Sequence, residues 1–591
     1  MIEARFDDLV PGSERSFRLA GPVGVLEARR PAEVAGTIES AEAAAVRGLW
    51  VAGVVAYEAA PGLDPALTVR VRPPDDPFAA MPLAWFAMFE RQEPVPPLEP
   101  PRSEPPRLER SPWHPSVDRP TYDAAIDRIR GSIAAGHTYQ ANYTLRLRAQ
   151  IAGEARGFYR DLCLAQRGGH AAFLDLGRYR VLSASPELFF RIDDGRITTR
   201  PMKGTAPRGR WLAEDEEIAS RLASSEKERA ENAMIVDLLR NDLGRICRAG
   251  SVEVERMLDA ERFETVWQLT STVAGELPPG TSLLEVFGAL FPSGSVTGAP
   301  KVRTTQIIAD LEDTARGVYC GAIGYISPPG SGEPRAKFNV AIRTVALDTR
   351  TAGAEYGVGG GITYDSTSAT EYEEVLAKAR VLTDVRPAFE LLETLRHDPD
   401  PGFLDLDEHL ARLGASATYF GFRFDREAVL ASLKVAVADR ATPSAVRLTL
   451  ARDGTLETEV WDVPRASDEH IRVALDDEPV DPSDVWLFHK TTRRAPYERR
   501  RERRHDVDDV LLVNDRGEVT ESTIANVAVR SGNTWVTPPL DAGLLPGTRR
   551  AAMLAAGELV ERTVTIHAVR ASEEIALLSS LRGWRSVVLV P

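Results

Sequence analysis

Near residue 385 the pattern of this chain starts over, and that restart constrains the fold more than any other feature. AFELLETLRHDPDPGFLDLDEHLARLGASATYFGF reads as a strand, a turn rich in Asp, Pro and Gly, and then an amphipathic helix. That is how a globular unit opens. A chain of 591 residues is also too long for one core, and length alone suggests about three to four domains. The restart divides it into 1–385 and 386–591. Within the first part, residues 91–120 (RQEPVPPLEPPRSEPPRLERSPWHPSVDRP) are rich in proline and poor in apolar periodicity, so a connector is expected between 1–90 and 121–385.

Beyond that connector, strand-like runs (RYRVLSAS, GAIGYIS, FNVAIRTVAL) alternate with helical ones, which predicts a mixed α/β (α+β) chain. SSEKERAENAMIVDLLRND is the clearest helix. Ser225 and Glu228 have the spacing of a capping box, and Met234 and Leu238 mark the expected apolar face. ATEYEEVLAKARVL is a second clear helix.

Composition excludes several classes of function. The formal net charge of −15 leaves no basic surplus for binding nucleic-acid phosphates. The run ERRRERRH (498–505) is flanked by acids and reads as a solvated helix face. Cys163, Cys247 and Cys320 have neither zinc-site nor disulfide spacing, and none lies in the Gly-x-Cys-x-Gly elbow of a glutaminase. The N-terminus has no signal-peptide pattern and no apolar run reaches about 18 residues, so a cytoplasmic protein with no membrane partner is expected.

Lysine is scarce. Of 72 basic residues 7 are Lys, leaving 72 − 7 = 65 Arg. A surface cation can be either residue, but only lysine readily loses its proton and becomes a nucleophile. Lys203, in TTRPMKGTAPRG, is therefore a candidate for chemistry, although a single lysine taken alone is more simply a surface residue. Carboxylates recur nearby at helical spacing. Glu228 and Glu231 share one face of the first helix, and Glu371, Glu374 and Lys378 share one face of the second. Two such helices could hold a hard cation such as Mg²⁺ between them, while solvated helix faces explain the pattern equally well. The triple glycine Gly359–Gly361 permits close approach to an anion, and a bulge or tight turn accounts for it as readily.

Taken together, GHTYQANYT, SASPELFF, PMKGTAPRG, KERAENAMIVDLLRNDLGR, FPSGSVTGAPK, FNVAIRT and YGVGGGITYDSTSATEYEEVLAKA resemble, in that order and over roughly residues 120–385, the chorismate-utilising enzymes. The resemblance implies a large chorismate-binding α/β sandwich with its site between the sheets. It implies Mg²⁺ on Glu231 and Glu374 with Glu371 close by. Chorismate carboxylates would meet Arg343, Lys378 and the backbone of Gly359, Gly360 and Gly361. Thr205 and Gln140 would also lie against substrate, and Glu187 would protonate the departing C4 hydroxyl.

Two positions separate members of that family. Those that add water resemble YQANYT but carry a lysine base where Gln140 stands, and a neutral amide cannot deprotonate water. Anthranilate synthases usually read P-I-A-G-T where this chain has PMKGT, whereas aminodeoxychorismate synthases read P-I-K-G-T. The resemblance therefore favours the latter, with Lys203 attacking C2 in a covalent route. In VWQLTS, Gln268 stands where the family commonly has histidine, which leaves a positioning role.

From 386 to 591, HLARLGASA, FHKTTRRAPYE, NDRGEVTESTIANVAV, TPPLDAGLLPGTRR and LRGW are similar, in that order, to the two-subdomain fold-type IV pyridoxal 5′-phosphate (PLP) enzymes. The resemblance implies that Lys490 forms the Schiff base with PLP, that Glu521 pairs with its pyridine nitrogen, and that Arg412, Gly547 and Thr548 bind its phosphate. The motifs alone leave lyase and transaminase both open. A lyase behind an aminodeoxychorismate synthase would release 4-aminobenzoate and pyruvate, and the alternative is an anthranilate synthase-like part fused to a class IV aminotransferase. Ammonia would come from a separate glutamine amidotransferase or from solution. Any homodimer is expected to form through the PLP part.

Overall fold

The computed structural model describes residues 2–100, 109–383, 388–463 and 470–591. The expected boundary at 385/386 lies outside these residues, as do 101–108 of the expected connector. Contacts group the chain into two compact units. One is Met1–Pro207 with Ala219–Pro387, and the other is Arg208–Ile218 with Ala388–Pro591. Among the described residues no helix is long and apolar enough to cross a membrane.

The first unit is organised by one antiparallel ladder. From Gln140–Ala152 it passes through Gly353–Ile362, Thr344–Asp348, Tyr179–Ser185, His170–Asp175, Glu3–Asp8 and Arg15–Ala28. It continues through Ala84–Pro94, Trp50–Val55, Ala322–Ile326, Ala336–Val340, Leu188–Asp193 and Arg196–Arg200 to Val266–Glu276. Val266–Glu276 also pairs with Met202–Pro207, the strand that carries Lys203.

Many of these strands are apolar on both faces because each face has its own core. In Trp50–Val55 every residue is buried. Val51 and Val55 join a cluster with Ile38 and Phe287 of the helices Pro31–Val46 and Leu283–Leu290. Trp50, Ala52 and Val54 instead join a cluster drawn almost wholly from strands, including Phe6, Leu19, Trp85, Leu174 and Ile323. The period of two thus sends alternate residues to a sheet-on-sheet core and to a helix-covered outer face. A third cluster packs the helices Arg119–Ala134 and Ala155–Gln166 against Tyr143, Leu145 and Leu147. The expected mixed sandwich is what forms, and its all-antiparallel ladder is the α+β variant of that class.

Three local expectations need correction. FNVAIRTVAL is two strands, Ala336–Val340 and Thr344–Asp348, because Arg343 adopts φ +52° and breaks the extension. The helix over Glu226–Gly244 buries Glu231, Asn232, Ile235, Val236 and Leu239, while Met234 is exposed. Its inward stripe lies one residue away from the predicted one because two of its members are polar. Ser225 accepts from the Glu228 N–H at 3.4 Å, which is half of the predicted capping box, and the Glu228 side chain lines a cavity instead.

The second unit has two sheets, each with its own main apolar cluster, as expected of two subdomains. Gly402–Phe403, Leu391–Asp398, Ser444–Leu450 and Leu456–Asp462 form an antiparallel sheet under the helices Leu406–Phe420 and Arg426–Ala436. An eight-stranded sheet has Ile471–Leu475 near its middle, parallel to both neighbours, and runs out to Val519–Ser522 on one side and Val560–Glu561 on the other. Arg208–Ile218 belongs to this unit: the Tyr419 hydroxyl donates to the Gly209 carbonyl at 2.6 Å, and Trp211 packs on Phe488. The basic run begins in the helix Ala495–Glu502, where Arg499 and Glu502 face solvent but Arg500 is ion-paired to buried Asp476 and Glu498 and Arg501 line a cavity, so only part of it is a solvated face.

Candidate functional site

The first unit encloses a cavity lined by Glu187, Lys203, Thr205, Glu231, Arg343, Gly359–Gly361, Glu371, Glu374 and Lys378. Residues up to 236 positions apart in sequence, Asn142 and Lys378, meet there (378 − 142 = 236), and three elements supply most of its charge. The strand Met202–Pro207 presents Lys203, the helix Glu226–Gly244 presents Glu231, and the helix Ser368–Ala379 presents Glu371, Glu374 and Lys378. The N-cap of the last helix is Thr367, whose hydroxyl accepts from the Thr370 N–H.

Lys203 Nζ lies 2.9 Å from Glu231 Oε2. Lys378 Nζ lies 2.6 Å from Glu374 Oε1 and donates to the Gly359 carbonyl at 2.8 Å. Arg343, largely buried, donates to the Lys378 carbonyl, so its strained backbone turns the guanidinium toward the same helix. Glu187 follows the strand Tyr179–Ser185 and is fully enclosed. Burial pushes its carboxyl up to about 8, against the pull of a 2.6 Å hydrogen bond from the Ser295 hydroxyl. At neutral pH Glu187 therefore carries a proton that it can give away.

The triple glycine is neither a turn nor a bulge. It lies inside the strand Gly353–Ile362, paired residue by residue with Asn142, Tyr143 and Thr144. What it supplies is space. A Cβ at Gly361 would stand 2.5 Å from both Lys203 Nζ and Gln140 Nε2, and one at Gly360 would stand 3.2 Å from Glu371 Oε2. Gln140 is buried just behind Gly361, with neither amide atom hydrogen-bonded to a described residue. Gln268 donates to the Thr205 hydroxyl at 3.4 Å. Sequence reasoning missed Ser295, whose contact with Glu187 is a tertiary one. It also read Glu228 as part of a cap.

The carboxylates here are oxygen donors suited to a hard cation. Burial, with Glu374 as a further cause, raises Glu371; burial, with Glu231 as a further cause, raises Glu228. Such crowding favours a cation. Even so, no group of three acidic, His or Cys side chains among the described residues converges as a metal centre. Glu231 and Glu374 are instead paired to lysines, so donor chemistry fits Mg²⁺ without a preassembled cage.

The second unit encloses another cavity, lined by Lys490, Glu521, Arg412, Gly547 and Thr548. Lys490 is half-buried in the cavity wall. Burial first, and then Arg412, push it down to about 8. Burial lifts Glu521 to about 8 although it accepts from the Leu545 N–H at 3.2 Å and the Tyr497 hydroxyl at 3.2 Å. At Gly547 a Cβ would fall 1.8 Å from Asn526 Oδ1, so only glycine fits at the head of the helix Thr548–Ala555. Arg412 holds Glu393 through two nitrogens, at 2.9 and 2.6 Å, and donates to the Pro546 carbonyl at 3.1 Å. Glu393 also accepts from His409 Nδ1 at 2.6 Å, and His409 Nε2 meets the Ser580 hydroxyl at 2.8 Å. Burial lowers the pKa of His409 and keeps its ring neutral, so with Nδ1 donating to Glu393 its Nε2 is the acceptor beside Ser580 and Thr548. The sequence alone gave no reason to select Glu393, His409 or Ser580. An amine able to lose its proton, a buried carboxylate across the cavity and a glycine-headed helix suit PLP in donor type.

Both units thus present highly charged cavities built around a lysine. Residues 9–384 match the chorismate binding enzyme family, and the chain belongs to it. Residues 390–590 match amino-transferase class IV, so a chorismate-binding domain is joined to a class IV domain in one chain. An aminodeoxychorismate synthase of Streptomyces griseus is 44% identical over 278 residues, 47% of this chain and 37% of that protein. Anthranilate synthase component 1 of Aquifex aeolicus is 39% identical over 270 residues, 46% of this chain and 53% of that protein. The crystal structure of anthranilate synthase component I from Streptococcus pneumoniae aligns with a TM-score of 0.52 at 26% identity, over 62% of this chain and 92% of that one. The chain spans about half or less of the length of these two curated relatives.

Proposed function

We propose that this chain converts chorismate and ammonia to 4-amino-4-deoxychorismate in its first unit, and that product to 4-aminobenzoate and pyruvate in its second. The observation that carries the first half is Lys203 beside Glu231 in the cavity that also holds the protonated Glu187. Arg343 and Lys378 bind the substrate carboxylates. Lys203 gives up its proton to water before it attacks. The Lys203 amine then attacks C2, the double bonds shift, and the C4 hydroxyl leaves as water with the proton of Glu187. Ammonia adds at C4 and expels the lysine from C2, so one hard substitution becomes two easier ones. Glu231 and Glu374, with Glu371, would hold Mg²⁺ against the ring carboxylate. Ammonia comes from a separate glutamine amidotransferase or from solution.

In the second unit Lys490 would hold PLP, with Glu521 toward its ring nitrogen and Arg412, Gly547 and Thr548 toward its phosphate. When bound, this group supplies an electron sink for the carbon that bears the amine. Lys490 removes the C4 proton, the C3 ether bond breaks, and the released enolpyruvate takes up a proton as the ring becomes aromatic. An anthranilate synthase-like first unit is the competing reading, and Lys203 opposes it by filling the place where ammonia would approach C2.

The test is product analysis of the full chain with chorismate, Mg²⁺, PLP and an ammonium salt, with Lys203→Ala alongside. Expected are 4-aminobenzoate and pyruvate, both lost in the variant. Anthranilate would overturn the reading of the first unit, and accumulated aminodeoxychorismate that of the second.

A further inference from the structure

The cavity of the second unit is far more cationic than a cofactor with one phosphate requires. Eight arginines line it, against two glutamates, Glu498 and Glu521. Most of these arginines are already engaged. Arg412 holds Glu393, Arg549 lies 3.6 Å from Asp405, Arg447 lies 3.3 Å from Glu459, and Arg494 donates to the Thr523 carbonyl. Three are different: among the described residues the side chains of Arg501, Arg582 and Arg585 form no hydrogen bond or ion pair. Arg501 and Arg582 are exposed, whereas the Nε of Arg585 is buried with no partner.

The placement of Arg582 and Arg585 gives this significance. The strand Ile575–Ser579 runs into Ser580, which bonds His409, and the return strand Gly583–Leu589 pairs Arg585 with Leu577. Arg582 sits in the turn between them. One short hairpin therefore carries Ser580, the half-buried Arg585 with its unpartnered Nε and the exposed Arg582 to the cavity that holds Lys490. Burial, and then Arg582, lower the pKa of Arg585, and the pull of Asp509 only partly offsets them. A half-buried cation beside a second cation is costly unless an anion meets it, and a guanidinium fork suits a carboxylate.

We propose that Arg582 and Arg585 together bind a carboxylate of the substrate remote from its reacting amine, and so select a dicarboxylate over a simple amino acid. This rests on the reading of the second unit given above, and it adds the residues that decide substrate class. A transaminase of monocarboxylic amino acids has no use for the pair. Aminodeoxychorismate, with a ring carboxylate and an enolpyruvyl carboxylate, does.

The test uses the full chain loaded with PLP, as wild type, Arg582→Met, Arg585→Met and the double variant. Chorismate is the probe, because it carries both carboxylates but no amine, and its binding is read from the cofactor absorbance band, which reports this site alone. The double variant should bind chorismate about ten- to a hundredfold more weakly while its affinity for PLP and for benzoate is unchanged. The KM for aminodeoxychorismate should rise in parallel, with kcat altered less than about threefold. Equal chorismate binding by wild type and double variant overturns the proposal. So does loss of PLP, which would assign the arginines to the phosphate. If wild type releases no pyruvate from aminodeoxychorismate, the lyase reading fails separately, and the absorbance titration still decides whether the arginines bind a dicarboxylate.

Discussion

Lys203 Nζ stands 2.9 Å from Glu231 Oε2, so the rare lysine and the helix carboxylate form one charge pair across the first cavity. The pair keeps Lys203 oriented, and a lysine so held must give up its proton before it can attack a ring carbon.

Lys203→Arg therefore separates charge from nucleophilicity. Arginine can keep the partnership with Glu231 but stays protonated. Aminodeoxychorismate formation should fall by roughly a thousandfold or more, with little change in thermal stability. A variant retaining a tenth of wild-type activity would mean that Lys203 acts only as a cation.

Glu187 makes activity depend on pH through a buried acid. Its carboxyl, raised to about 8, is protonated below that pH and loses its acid function above it, so the synthase rate should decline as pH passes through about 8. Ser295 pulls the value down, so Ser295→Ala should move that decline to higher pH. Stability follows the same proton. The unfolded chain releases it near the ordinary carboxylate value and the folded chain keeps it up to about 8. Folding thus weakens between those limits, and Glu187→Gln should flatten this slope by an amount on the order of a few kcal/mol. Denaturant unfolding at pH 5 and pH 8 measures it.

Gly361→Ala should damage the synthase selectively. The added Cβ would meet Lys203 Nζ and Gln140 Nε2 at 2.5 Å, and both are ends of side chains that can move aside. The fold survives, but the nucleophile is displaced, and a misplacement of about 1 Å costs about a hundredfold. Aminodeoxychorismate supplied from outside should still give 4-aminobenzoate at the normal rate.

Much of this could be read from the sequence because ordered strings carry local chemistry. The helix Glu226–Gly244 was legible in the sequence, and the ordered strings named Glu187, Lys203, Glu231, Arg343 and Lys378, which line one cavity. Tertiary partners were not. Ser295 is 108 residues from the carboxyl it binds, and Ser580 is 171 residues from His409. The face of the helix Glu226–Gly244 was misjudged by one residue because apolar periodicity cannot register buried Glu231 and Asn232. The turn or bulge offered for the triple glycine was not what forms: it lies inside a strand, where a Cβ would meet backbone at Gly359 and side chains at Gly360 and Gly361.

Glu393→Gln tests the frame under the second site. Burial would raise Glu393, but Arg412 and then His409 overcome it and hold the carboxylate well below its usual range. The stability it contributes is therefore present above the ordinary carboxylate value and is lost as pH falls toward its folded one. The neutral amide keeps the shape but can accept from His409 Nδ1 and Arg412 through one oxygen only. Arg412 then stays buried beside a neutral group, which costs about 3–5 kcal/mol, and its guanidinium is no longer fixed next to the Pro546 carbonyl. PLP affinity should fall about tenfold or more with Lys490 intact, while aminodeoxychorismate formation in the first unit is untouched. A melting temperature that drops with unchanged PLP affinity would make Glu393 a structural residue alone. Weaker PLP binding that is restored in Glu393→Asp would mark it as the residue that positions Arg412.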